Sequence, residues 1–136
     1  MEKHFLADMM EGTPTFRAEP WYNPDGDCIV YKIVDEAVVA NRIDEVLTVY
    51  NSAVDDRPIG FQIKGVQAII RKFGLEALAV VSEVDTEAVK AISIVAMLLA
   101  AYEEGPRTLG RRRAYATAME CPAGKSRIPL TDLQAA

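Results

Sequence analysis

Four short runs of β-type residues, Cys28–Val34, Ala37–Arg42, Glu45–Asn51 and Ile59–Lys64, crowd between Trp21 and Val66. The last run is the most regular. Ile59, Phe61 and Ile63 alternate with Gly60, Gln62 and Lys64, which requires one side against a core and the other towards water. The connections are too short for parallel crossovers, which need a dozen or more residues. This spacing predicts a four-stranded antiparallel β-meander.

The turn chemistry agrees. Trp21 and Tyr22 form an aromatic anchor before Asn23-Pro24 and Asp25-Gly26, two dipeptides that favour a tight reversal. Asp35-Glu36 and Asp44 make the next breaks, and Asp55-Asp56-Arg57-Pro58 closes a longer loop. After the strands, Val66, Ile69, Ile70 and Phe73 repeat at helical spacing, with Gly74 placed to end the helix. Leu75–Glu83 combines Glu76-Ala77-Leu78-Ala79 with Val80-Val81 and is read as helix. Asp85 stands where an N-cap belongs, and Gly105-Pro106 stops a helix of about 85–104.

The expected fold is therefore α+β: a four-stranded antiparallel β-meander followed by two or three helices, the last (about 85–104) very apolar. Residues 1–20 read as an N-terminal arm, 21–106 as a single domain and 107–136 as a basic C-terminal tail.

The segment 85–104 carries a second expectation. From Ala88 to Ala101 it leaves almost no polar side, and a helix apolar all round must be covered all round. One sheet covers one side. Burying an Ile, Leu, Val or Met side chain contributes roughly 1.5–3 kcal/mol, so a few such residues favour association. The prediction is a homo-oligomer, a dimer first, with Ile92, Val95, Met97 and Leu99 at the interface.

Charge divides the chain unevenly. The net charge is −5, yet residues 107–136 hold six Lys and Arg against two acids. The acidic remainder is a poor surface for nucleic acid, whose phosphates need clustered cations. Arg111, Arg112 and Arg113 are the candidates for contact with nucleic acid or an acidic partner. The plainer reading makes this segment solvated, or a basic strap over the acidic body. Nucleic acid is not the expected partner.

Little else suggests chemistry. The lone His4 lies in the arm, and Cys28 and Cys121 stand in no metal or redox spacing. Asp25 and Asp27 lack the longer ligand pattern of a calcium loop. Ala123-Gly124-Lys125-Ser126 lacks the first glycine of a phosphate loop, Met119 standing there. No metal or cofactor is expected. The longest apolar run, Ala91–Tyr102, is too short to span a bilayer, and no basic-then-apolar leader opens the chain. A cytoplasmic protein with reduced thiols is expected, with no membrane partner.

The order Tyr22-Asn23-Pro24-Asp25-Gly26-Asp27, Ile29-Val30-Tyr31, Val46-Leu47-Thr48-Val49-Tyr50 and Ile59-Gly60-Phe61-Gln62-Ile63 resembles the YuzE-like family (domain of unknown function 2283). The resemblance covers about 21–66 and implies a small sheet domain, with an antitoxin-like role. Asp55-Asp56-Arg57-Pro58 replaces the family's Asp-Gly turn, and Gln62 stands where the family favours Glu.

The functional expectation is a non-enzymatic, homo-oligomeric protein-interaction module that also contacts a protein partner. Its alternatives are a small enzyme using the loop carboxylates Asp25, Asp27, Asp55 or Asp56, and a nucleic-acid contact through Arg111–Arg113.

Overall fold

The computed structural model describes residues 18–74, 78–81, 90–120, 127–129 and Leu133. Within them the α+β reading holds. A five-stranded antiparallel sheet is built from β1 (Trp21–Asn23), β2 (Cys28–Lys32), β3 (Val38–Arg42), β4 (Leu47–Ser52) and β5 (Pro58–Lys64). Helix α1 (Val66–Phe73) follows and closes at Gly74. A second, three-stranded sheet holds β6 (Ala79–Val81), β7 (Lys90–Ser93) and β8 (Arg127–Pro129), with β7 in the middle. Helices α2 (Ile94–Glu103) and α3 (Leu109–Glu120) lie between β7 and β8 in sequence.

The strands of the first sheet lie where the alternation puts them, but their order is not a meander. It runs β1-β2-β5-β4-β3. β2 does not return into β3; it pairs with β5, Ile29 opposite Ile63 and Tyr31 opposite Phe61. The reason is chemical. A two-residue hairpin wants left-handed backbone at its centre, supplied by Asn-Gly or Asp-Gly, and Asp35-Glu36 offers neither. The central place goes instead to β5, in which Ile59, Gly60, Phe61 and Ile63 are all buried. The Trp21–Asn23 anchor is itself a strand, on the edge beside β2.

Residues 33–37 must then cross the ends of β5 and β4. Three strand spacings amount to roughly 14 Å, within reach of an extended link at roughly 3.3 Å per residue. The crossing is pinned along its length. Ile33 N–H donates to the Ile59 carbonyl at 2.8 Å, and Ala53 N–H to the Ala37 carbonyl at 2.9 Å. Glu36 accepts from the Ser52 hydroxyl at 2.7 Å and from Arg57 at 3.0 Å.

One side of the sheet carries the core. Ile29, Tyr31, Leu47, Val49, Phe61 and Ile63 meet Val66 and Ile69 of α1, Ile94, Met97 and Leu98 of α2, and Tyr115 of α3. Ile92 and Ile128 extend the same cluster into the second sheet.

The apolar helix is shorter than expected and is not the last. Residues 90–93 are strand, pairing with 79–81 and 127–129. Ser93, not Asp85, caps α2, its hydroxyl accepting from Ala96 N–H at 3.1 Å; Asp85 lies outside the described residues. Residues 79–81 are strand rather than helix, so Val80-Val81 prevails over the preceding Ala-Leu-Ala. The last described helix is α3, within the segment read as a tail. Its Arg111, Tyr115 and Ala118 are buried. The N-terminal arm up to residue 17, Cys121 and Lys125 lie outside the described residues.

Candidate functional site

The densest polar constellation gathers around Arg111. Its spacing from Tyr115 and Ala118 puts all three on one side of α3, and that side is packed inwards. Arg111 is only 8% exposed. Nε donates to Asp44 Oδ2 at 2.8 Å, Nη1 to the carbonyls of Tyr102 and Pro106, and Nη2 to the carbonyl of Ala101. Two of these carbonyls belong to the last turn of α2, where they also accept from the amides of Glu104 and Gly105. The guanidinium packs against a pair of touching aromatic rings, 5.0 Å from the Tyr102 centroid and 4.9 Å from that of Tyr115, which are themselves 5.4 Å apart. Gly105 leaves room for it: a Cβ there would stand 2.7 Å from Arg111 Cζ.

Asp44 completes the arrangement from the β3–β4 turn. Oδ1 accepts from Val46 N–H at 2.9 Å and Leu47 N–H at 2.7 Å, and Oδ2 accepts from Arg111 and from the Tyr115 hydroxyl at 2.8 Å. Burial alone would raise the Asp44 carboxyl. The Leu47 amide, Arg111, Tyr115 and the Val46 amide outweigh it and hold the pKa below the ordinary aspartate value. Burial, and then the bond to Asp44, push the Tyr115 hydroxyl upwards. This is a clamp that ties a hairpin turn, the end of α2 and α3 together. With four of its five N–H donors engaged, Arg111 has little left for a phosphate.

Arg112 and Arg113 are on the surface, so the three-arginine run is split by its helix. The four residues expected at an oligomer interface also divide. Ile92 and Met97 are enclosed by their own chain, Val95 is half-buried, and Leu99 is 47% exposed. α2 buries Ile94, Met97, Leu98 and Ala101. Ala96 and Ala100 are half-buried against the same core, Val95 and Leu99 lie further out, and no polar residue comes before Tyr102.

The loop carboxylates are mostly occupied in holding turns. Asp27, with φ of 50°, accepts from the Tyr22 hydroxyl at 2.7 Å and from Gln67 N–H at 3.1 Å, so a turn side chain caps α1. Asp55 pairs with Arg57. Asp25 and Asp56 are exposed. No group of three or more metal-ligating side chains occurs among the described residues. Cys28 is a buried thiol that accepts from the Gln62 amide at 3.3 Å. No helix among the described residues is long and apolar enough to cross a membrane.

Compared with protein-family models, curated proteins and solved structures, the chain matches none. The reading of its function rests on its own geometry.

Sequence reasoning missed Asp44, Tyr102, Tyr115 and the Glu36–Ser52–Arg57 cluster. The signal for the clamp is the i, i+4, i+7 spacing of Arg111, Tyr115 and Ala118, which marks an inward stripe containing one cation. No comparable signal pairs Asp44 with a residue 67 positions away.

Proposed function

We propose that the protein is a non-enzymatic interaction module that self-associates through the outward side of α2. One observation carries this reading: Leu99 is exposed beside a half-buried Val95 on a helix that has no charge between Ile94 and Tyr102. An ordinary surface helix turns polar residues to water. A stripe of this kind is matched by another apolar stripe, and a second copy about a two-fold axis brings an identical one. Covering Leu99 and Val95 on both copies contributes roughly 1.5–3 kcal/mol for each fully buried side chain, before the cost of docking. The occupation of Asp27, Asp44 and Asp55 in caps, clamps and ion pairs adds support, since a catalytic carboxylate needs a free lone pair facing its substrate.

Light scattering coupled to size exclusion at micromolar concentration tests it. The expected mass is a multiple of 14.9 kDa, falling to the monomer in Leu99→Glu. A parent protein that elutes as a monomer overturns the reading.

A further inference from the structure

We infer that the open edge of β3 takes an added strand from another protein, an extended segment with small or β-branched residues in its middle and Lys or Arg at its ends. The inference rests on the reading of this chain as an interaction module, but on a surface separate from α2.

β3 is the outermost strand of the five-stranded sheet. The bonds Ala53 N–H to Ala37 carbonyl and Ile43 N–H to Leu47 carbonyl fix which of its residues face β4. Antiparallel pairs alternate, so Val39 and Asn41 bond inwards with Asn51 and Val49, their ladder partners. The N–H and C=O groups of Val38, Ala40 and Arg42 therefore point away from the sheet. Four of the five residues of β3 are exposed, Val39 at 52%. Edges are commonly blunted by proline, lysine, a bulge or shortness. β3 has no proline or lysine and pairs with β4 without a register shift between Val38 and Arg42. The opposite edge, β1, is only three residues long.

Charge selects the occupant. Asp35-Glu36 precedes β3 and Asp44-Glu45 follows Ile43. Glu36 is paired with Arg57 and Asp44 with Arg111, while Asp35 and Glu45 make no ion pair among the described residues and are exposed. A second copy pairing in full register about Ala40 would set Asp35 against Glu45 and Glu36 against Asp44, at both ends. Like charges directly opposite are destabilising, so the edge rejects itself. A strand with cations at its ends meets the same carboxylates favourably, while Arg42 is turned back onto the Asp44 carbonyl.

The probe is a fluorescein-labelled peptide of alternating threonine and valine with two lysines at each end, read by polarisation against the full chain. Saturable binding that weakens with salt is expected, with a control ending in glutamates binding about tenfold more weakly. Ala40→Pro removes an outward N–H without touching the β3–β4 ladder, and should weaken the lysine-ended peptide about tenfold while leaving the mass by light scattering unchanged. Asp35→Lys with Glu45→Lys should reverse the preference between the two peptides, a readout that holds if the proline variant does not fold. Absence of binding, or equal binding of both peptides, overturns the proposal. So does loss of oligomer mass in Ala40→Pro, which would place a second copy on this edge. Failure of Leu99→Glu to change the mass would count against the α2 reading alone.

Discussion

Arg111 and Arg112 are neighbours in the chain and opposites in setting. Arg111 uses a planar fork to hold one carboxylate and three carbonyls; an ammonium can point at only part of such an array. Arg111→Lys should cost about 2–3 kcal/mol through unsatisfied buried groups, whereas Arg112→Lys should stay within about 0.5 kcal/mol. Urea denaturation of the pair checks the contrast. The clamp also has a pH signature. Asp44 is held below its unfolded value of about 3.9, so its contribution is fully present above that value and is lost as pH falls through the folded one. Asp44→Asn should therefore remove part of the acid-side decline in urea midpoint while lowering stability at neutral pH by about 3 kcal/mol, because Arg111 is left buried without its counter-charge. A variant whose midpoint falls as steeply as the parent's below about pH 4 would show that Asp44 is not the titrating group. None of this was legible from the run Arg111–Arg113 read as adjacent charges. Periodicity carried the information, and charge adjacency concealed it.

At the scale of elements, the sequence specified strands better than their neighbours. Alternation in Ile59–Lys64 and the β-branched run around Ile29–Val30 locate β5 and β2 because each residue reports its own side of the sheet. Pairing depends on links, and the link 33–37 carries no hairpin residues, so its crossing is visible only in what Ile33, Glu36 and Ala37 bond. Lys90–Ser93 was hidden differently. Ala91 and Ile92 suit a buried strand or a buried helix equally, and the choice falls to partners 79–81 and 127–129, distant in sequence. Two substitutions probe these elements. Ser93→Ala removes the hydroxyl that receives Ala96 N–H and should cost about 1 kcal/mol. Gly60→Ala should cost about 3 kcal/mol or more, since its Cβ would fall 2.0 Å from the Tyr31 carbonyl oxygen, where β5 passes close to β2. Thermal melts order the two. A Gly60→Ala protein as stable as Ser93→Ala would mean that β2 and β5 approach less closely than described.

For the whole molecule, the question is how one helix serves two surfaces. α2 sends Met97 and Leu98 into the common core and presents Leu99 and Val95 outwards, so adjacent positions should answer to different experiments. Met97→Ala opens a cavity in the fully buried core and should cost about 3 kcal/mol. Leu99→Glu removes nothing from that core and should leave the stability of an isolated chain within about 0.5 kcal/mol. Association changes the comparison, because anything that binds only the folded state raises the melting temperature with concentration. The parent should therefore melt higher as protein concentration rises. Met97→Ala should keep that dependence from a lower starting point, and Leu99→Glu should lose it. A Leu99→Glu protein whose melting temperature still climbs with concentration would move the interface off α2, leaving the exposed leucine as an ordinary surface residue of a chain that associates elsewhere.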